Sequence, residues 1–136
     1  MSVATLLRPN TAAGDPATAD TEEARVVAKA VTRAATLLGL TNAELSRTLG
    51  LSEASASRLR AGGYAPAPSS KPFELAVLLL RLFRGLDAIM GGDATAIRAW
   101  MRAPNTALRD RPLALIQTVQ GLVQTVQYVD SRRARI

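Results

Sequence analysis

Hydrophobic positions recur with the period of a helix along most of the chain. From residue 22 onward, apolar side chains are spaced by three and four residues, which places them on one face of a helix. The pattern predicts helices over residues 22–38, 42–49, 53–61, 73–90, 94–103 and 112–129. No useful stretch alternates between apolar and polar residues with the period of two that strands show. The expected fold class is therefore all-α.

Residues that favour helix ends mark these predicted elements. Thr21, Ser52 and Asp93 each precede a predicted helix, where a short polar side chain can accept a hydrogen bond from a free backbone N–H group. Thr41 precedes another helix, and Glu44 three residues later completes the pattern of a capping box. Glycines follow several of the predicted helices and indicate where they end.

Two features of the predicted helices indicate contacts with other backbone or other chains. Residues 73–90 are apolar on two faces, so this helix should lie between two neighbours or should join a second copy of the chain. Gly121 lies inside the last predicted helix, where glycine destabilises by about 1 kcal/mol relative to alanine. Its presence indicates the close approach of another backbone, either within the domain or across a dimer.

The chain divides into four segments on this evidence. Residues 1–21 combine Ala, Thr, Pro and Gly without a period and predict a disordered arm. A helix-turn-helix unit is expected at residues 22–63, followed by a Pro- and Ser-rich linker at residues 64–72. Residues 73–136 form a second helical domain, which ends in a basic tail, SRRARI, that is expected to be mobile.

The composition excludes several kinds of chemistry. The chain has no cysteine and no histidine, so it lacks a thiolate nucleophile, a zinc–thiolate site and the commonest general base. Its carboxylates are few and scattered, and we therefore expect neither an enzyme nor a cofactor or metal site. The longest apolar run, residues 75–80, is far too short to cross a bilayer, and residues 1–10 lack the apolar core of a signal peptide. The expected location is the cytoplasm.

The charge of the chain suggests a partner. The formal net charge is +6, and nearly all the basic residues are arginine, which forms bidentate contacts with phosphate, guanine or carboxylate. Ten basic and five acidic residues lie in residues 63–136, so the excess is in the second half. A basic balance favours nucleic acid or an acidic protein as the partner. The alternative is an arginine-rich coding style without functional meaning.

Residues 41–62, TNAELSRTLGLSEASASRLRAG, have the spacing of a helix-turn-helix. Ser46 is small where two short helices cross, and Gly50 tolerates the positive φ that the turn needs. On these residues the segment resembles the Cro/repressor-type, Xre-like DNA-binding unit, over residues 24–62. The alternative is an ordinary pair of helices joined by a glycine turn.

The resemblance implies a set of DNA contacts on and before the second helix of this unit. Short polar residues at helix N-termini can hold phosphates, while Arg58 can read guanine, Glu53 can accept from cytosine and Arg60 can meet a phosphate. The candidate DNA-binding residues are Thr41, Asn42, Ser52, Glu53, Ala54, Ser55, Ser57, Arg58 and Arg60. Each also has a plain interpretation as a solvated surface residue. Since residues 41–62 carry a formal charge of only +1, one copy should bind weakly, and a dimer on a palindrome is expected.

The second half contains RLFRGLDAIMGGD, IRAWMRAPNTAL, RPLALIQTVQGL and YVDSRRARI, in this order. Together they resemble the toxin-binding domain of Xre/MbcA/ParS-type antitoxins, over residues 73–136. The resemblance implies a partner of the RES-domain toxin class, which uses NAD⁺, and an antitoxin that covers the toxin's active site and binds the promoter of its own operon. Residues 109–111, Arg-Asp-Arg, depart from the glycine-containing segment of the family, which puts the contacts of that loop in doubt.

The resemblance also implies where the toxin would be held. The candidate toxin-binding residues are Arg98, Trp100, Arg102, Asn105, Arg109, Arg111, Tyr128, Arg132, Arg133 and Arg135. Structural interpretations compete with this one: Trp100 as a core anchor, Asn105 as a turn residue, and the arginines as a solvated face. The three arginines of the tail could enter the NAD⁺ pocket at the pyrophosphate position, or could simply keep the chain in solution.

The expected function is thus an antitoxin that sterically blocks the NAD⁺ site of a RES-domain toxin and represses its own operon as a homodimer. The alternative is a stand-alone dimeric helix-turn-helix transcriptional regulator, whose second half serves only dimerisation or ligand binding. The presence of a toxin in a co-purified complex would separate these two interpretations.

Overall fold

The computed structural model describes residues 18–135, and the regular secondary structure of this part of the chain is helical. Its helices are α1 Glu22–Leu38, α2 Asn42–Leu49, α3 Glu53–Arg60, α4 Lys71–Ile89, α5 Ala94–Arg102, α6 Pro112–Leu115 and α7 Val119–Arg133. Within residues 18–135 there is no strand, only two isolated bridges between single residue pairs. The all-α prediction is confirmed. Most of the predicted arm, residues 1–17, lies outside the described residues.

The predicted helix caps are present. The Thr21 side chain accepts from the Ala24 N–H at 3.1 Å, and the Ser52 side chain accepts from the Ser55 N–H at 3.1 Å. Thr41 and Glu44 form a reciprocal capping box, with distances of 3.1 Å and 2.9 Å. These polar ends explain why α1, α2 and α3 begin where the sequence predicted.

Helix α4 is the centre of the fold. Leu75, Leu79, Leu82 and Leu86 lie along its length and are buried. They belong to one apolar cluster that draws residues from both halves of the chain, because α4 packs against α1 and α2 on one side and against α7 on the other. The prediction that this helix lies between two neighbours is confirmed. None of the described helices has the length and apolar character needed to span a membrane.

The segment between α3 and α4 packs on the first half of the chain. Tyr64, Ala65 and Pro66 are buried, although this stretch was expected to be a linker. The Ala19 N–H donates to the Ala65 carbonyl and the Ala65 N–H donates to Thr18 Oγ1, both at 2.8 Å. Residues 18–19, which were expected to belong to a loose arm, are therefore fixed by hydrogen bonds to this segment.

The end of the chain differs from the prediction of one helix over residues 112–129. The chain turns after α6, and the Thr118 side chain starts α7 by accepting from the Gly121 N–H at 3.0 Å. In a single helix the apolar spacing would place Val119 on the buried face, but it is 61% exposed because the turn rotates α7 relative to α6. Helix α7 continues to Arg133, so the first three residues of the predicted mobile tail are helical.

Two glycines allow close packing around α7. A Cβ at Gly121 would lie 2.0 Å from the Leu115 carbonyl oxygen, so the close backbone approach that Gly121 indicated occurs within the chain. Gly85 on α4 faces Val129, whose Cγ1 would lie 2.5 Å from a Cβ at that position. Arg81 and Asp130 join the same two helices by an ion pair at 2.5 Å.

Candidate functional site

The helix-turn-helix is formed by α2, α3 and the turn between them. Gly50 occupies the left-handed region with φ of 69°, which lets the chain reverse between the two helices. Ser46 is 4% exposed, and its hydroxyl donates to the Ala43 carbonyl at 2.7 Å. Leu45, Leu49, Leu51, Ala56 and Leu59 are buried, as the sequence predicted for this unit.

The outer face of the helix-turn-helix carries mostly short side chains, together with Glu53 and the exposed Arg58. Most of the candidate DNA-binding residues are exposed: Thr41, Ser52, Glu53, Ala54, Ser57 and Arg58. Asn42 is half-buried at the first turn of α2. The N-terminal ends of α2 and α3 both carry such residues, and the positive end of a helix dipole favours an anion.

Ser55 and Arg60 do not lie on that face. Ser55 was expected to point outward, but it is fully buried, because it shares the inner side of α3 with Ala56 and Leu59. Its hydroxyl accepts from Arg58 Nη2 at 2.8 Å, which orients the Arg58 side chain. Arg60 donates through Nη2 to the Leu40 carbonyl, and burial lowers the pKa of its guanidinium. Both residues hold the unit together.

At the far end of the molecule an aromatic pair joins α5 to α7. The rings of Trp100 and Tyr128 are stacked, with centroids 6.5 Å apart and an interplanar angle of 14°. The Arg132 guanidinium lies 5.9 Å from the centre of the Tyr128 ring and donates to its hydroxyl at 3.4 Å. A cavity of about 120 Å³ lies beneath, bounded also by Ile89 and Met90. All three members of this aromatic–arginine surface, Trp100, Tyr128 and Arg132, remain at least partly exposed.

The loop after α5 is closed by Asn105. Its side-chain oxygen accepts from the Leu108 N–H at 3.0 Å, and its backbone pairs with Asp110 and Arg109. This geometry agrees with the interpretation of Asn105 as a turn residue. Arg109 has a φ of 69°, which non-glycine residues adopt uncommonly, and it stands exposed with Arg111 at the rim of a depression of about 530 Å³.

Arg98 and Arg102 face the first half of the chain. Arg102 Nη2 donates to the Gly39 carbonyl at 2.9 Å, and a Cβ at Gly39 would lie 2.9 Å from Arg98 Cδ. Arg47 on α2 and Gln117, just after α6, form a second link at 2.5 Å. Arg98 and Arg102 therefore help to join the two halves of the chain, whereas Arg109 and Arg111 are exposed on the loop.

Two family models match the chain. The antitoxin Xre-like helix-turn-helix domain matches residues 17–81, and the antitoxin Xre/MbcA/ParS C-terminal toxin-binding domain matches residues 85–135. The chain is an Xre/MbcA/ParS-type antitoxin. No curated protein matches it. Neither domain family is enzymatic. The antitoxin thus combines a helix-turn-helix domain of the DNA-binding type with a toxin-binding domain.

The helix-turn-helix match ends at residue 81 and the toxin-binding match begins at residue 85, both inside α4, which runs from Lys71 to Ile89 without a break. The aromatic–arginine surface lies wholly within the toxin-binding match. The stacking of Trp100 on Tyr128 was not predicted. The spacing of Tyr128 and Arg132 by four residues was a signal for the contact between those two side chains. Arg132 and Arg133 occupy the last turn of α7, where cations favour the negative end of the helix dipole, and Arg135 follows.

Proposed function

We propose that this antitoxin binds a RES-domain toxin, covers its NAD⁺ site, and represses its own operon as a dimer in the cytoplasm. The observation that carries the toxin part is the aromatic–arginine surface, which lies on the domain that binds the toxin. Partly exposed aromatic rings beside an exposed arginine are typical of the residues that dominate the binding energy of protein interfaces.

The geometry favours a rigid contact over a flexible plug. Helix α7 extends to Arg133, so Arg132 and Arg133 are held on a helix, and Arg132 lies next to the ring of Tyr128. We propose that these cations pair with carboxylates around the mouth of the toxin's NAD⁺ site, while the two aromatic rings pack against its apolar wall. Arg109 and Arg111, exposed on the neighbouring loop, extend this contact. Arg98 and Arg102 contribute indirectly, by packing α5 against Gly39, and Asn105 sets the conformation of the loop.

The substitution Arg132→Glu should weaken binding of the toxin by about thirtyfold or more, because an interface arginine at such a position is typical of a hot spot. Arg132 is exposed, so the fold should not suffer. The measurement is the concentration of antitoxin that halves NAD⁺ consumption by the purified toxin. Arg33→Glu, at another exposed arginine, is the matched control and should neutralise like the native chain.

An Arg132→Glu variant that protects NAD⁺ as well as the Arg33→Glu control would contradict the proposed surface. A toxin that binds the antitoxin without consuming NAD⁺ or transferring ADP-ribose would contradict the RES assignment. The assignment of residues 85–135 as a toxin-binding domain would still hold.

For the operator, we propose that the exposed face of α2 and α3 enters the major groove. Arg58, oriented by Ser55, would contact a guanine, and Glu53 and Ser57 would lie beside it on the same helix. Thr41, Asn42, Ser52 and Ala54 would face the phosphates at the two helix N-termini. Ser55 and Arg60 contribute indirectly, through the orientation of Arg58 and of the turn near Leu40.

The dimer requires an apolar surface, and α4 offers one. Val77 is 44% exposed in the middle of this helix, with Phe73, Leu78 and Pro68 around a depression of about 390 Å³. We propose that this patch pairs with the same patch of a second copy about a twofold axis, since isologous contacts of this kind are the commonest in homodimers.

Val77→Glu should convert the dimer to a monomer and lower operator affinity by about a hundredfold or more, because each half-site then binds alone. Val26→Glu and Val119→Glu are the matched controls, since these valines are 60% and 61% exposed and lie outside the patch. Light scattering gives the mass and a titration at fixed salt gives the affinity. If Val77→Glu stays dimeric while a control variant becomes monomeric, the dimer forms elsewhere.

A further inference from the structure

We propose that the cavity between α1 and the end of α3 binds a small organic anion with an apolar body. This site goes beyond the antitoxin function proposed above. It is separate from the aromatic–arginine surface, and although it lies at the C-terminal end of α3, none of the residues proposed to face DNA lines it.

The shape and floor of the cavity suit a ligand of moderate size. Its volume is about 310 Å³, which falls at the lower end of the range for small-molecule sites. Ala28, Leu59 and Ala65 contribute apolar surface to its lining. A hydrocarbon chain or a small ring would therefore lose water contacts on entering, which favours binding.

The charge around the cavity selects an anion. Arg25, Lys29 and Arg60 contribute to the lining, and no carboxylate does. Asp20 offsets only Arg25, with which it forms an ion pair. Lys29 forms no ion pair with any residue between 18 and 135, so its ammonium group is available to a carboxylate or a phosphate.

Arg60 supplies the second and independent observation. Its Nη2 is used by the Leu40 carbonyl, but its Nε is buried and has no hydrogen-bond partner in the described part of the chain. A buried N–H without an acceptor is unfavourable, and burial of the guanidinium also lowers its pKa. Because Arg60 lines the cavity, an anion there would bring negative charge close to this desolvated guanidinium.

The walls of the cavity are held by hydrogen bonds that do not involve a ligand. Ala65 is fixed because its N–H donates to Thr18 Oγ1 and its carbonyl accepts from the Ala19 N–H, and Thr32 Oγ1 donates to the Leu59 carbonyl at 3.3 Å. The site is thus formed before binding, so little ordering of the chain opposes the ligand. Since Leu59 also belongs to the core of the helix-turn-helix, an occupied cavity would stiffen the unit behind its DNA-binding face.

The test is calorimetric titration of the full chain with three probes of equal length: octanoate, octyl phosphate and 1-octanol. We expect saturable binding of at least one of the two anions, and affinity for 1-octanol lower by about tenfold or more, because the alcohol lacks the charge-assisted hydrogen bonds. The comparison of octanoate with octyl phosphate shows which headgroup the site prefers.

Four variants separate this cavity from other surfaces. Lys29→Gln should weaken anion binding about tenfold, whereas Arg33→Gln, also at an exposed basic residue of α1, should not. Ala28→Leu should fill the cavity and abolish binding of all three probes. Val119→Glu should leave binding unchanged, since Val119 is exposed and does not line the cavity. Equal affinity for 1-octanol and both anions, no saturable binding of either anion, or anion binding that Lys29→Gln leaves intact would each overturn the proposal.

Discussion

Gly121→Ala is expected to lower the free energy of unfolding by about 2–3 kcal/mol, the magnitude typical of strong overpacking. A Cβ at this position would lie 2.0 Å from the Leu115 carbonyl oxygen, 2.7 Å from its carbon and 2.9 Å from Thr118 Oγ1. The first two atoms are backbone, so α6 or α7 must move. This result would reverse the usual sign, because glycine to alanine in a helix normally stabilises by up to about 1 kcal/mol.

Gly63→Ala is the matched control for this prediction. Its nearest neighbour is the Arg58 carbonyl oxygen at 3.7 Å from the new Cβ, and its φ lies outside the left-handed region. Its effect should stay within about 0.5 kcal/mol. Unfolding of both variants in urea supplies the measurement. A Gly121→Ala variant as stable as the native chain would show that α6 and α7 are not held as closely as their carbonyl contact implies.

Gly39→Ala should destabilise by about 2–3 kcal/mol, since it combines the backbone strain of a left-handed residue with a side-chain clash. Gly39 has a φ of 78°, and its Cβ would lie 2.8 Å from Arg102 Nη1 and 2.9 Å from Arg98 Cδ. Gly50→Ala provides the comparison. It has a similar φ of 69° but only Leu75 Cδ1 nearby, at 3.8 Å, so it should cost about 1–2 kcal/mol from backbone strain alone.

The difference between these two variants measures the contact between the halves of the antitoxin. In a chain that already carries Arg98→Ala and Arg102→Ala, the effect of Gly39→Ala should fall to that of Gly50→Ala. Unfolding free energies of the four combinations give the coupling. Strictly additive effects would mean that the two arginines do not rest on Gly39 in solution.

Much of the fold could be predicted from local sequence signals. The capping box of Thr41 and Glu44 and the glycine turn at Gly50 depend on residues within a few positions of each other, so their geometry follows from the sequence alone. The buried leucines of α4 follow in the same way from their spacing, because a helix that is apolar on two faces must be covered on both.

The remaining features depend on contacts between residues that are distant in sequence. Arg98 and Arg102 resembled free surface arginines until Gly39, more than fifty positions earlier, proved to lie against them. The division of residues 112–129 into α6 and α7 was missed because its apolar spacing continues across the break, while the Thr118 cap and the Leu115–Gly121 approach act only in three dimensions. Ser55 was misplaced because a polar residue on a short helix gives no sign of which face it takes.

The continuity of α4 across both family matches has a consequence for turnover of the antitoxin. Its buried leucines belong at once to the core of the DNA-binding unit and to that of the toxin-binding unit, so neither unit can unravel and leave the other intact. A protease that pulls on either terminus therefore meets one cooperative barrier. On the proposed function, crossing that barrier would release the toxin and vacate the operator in the same event.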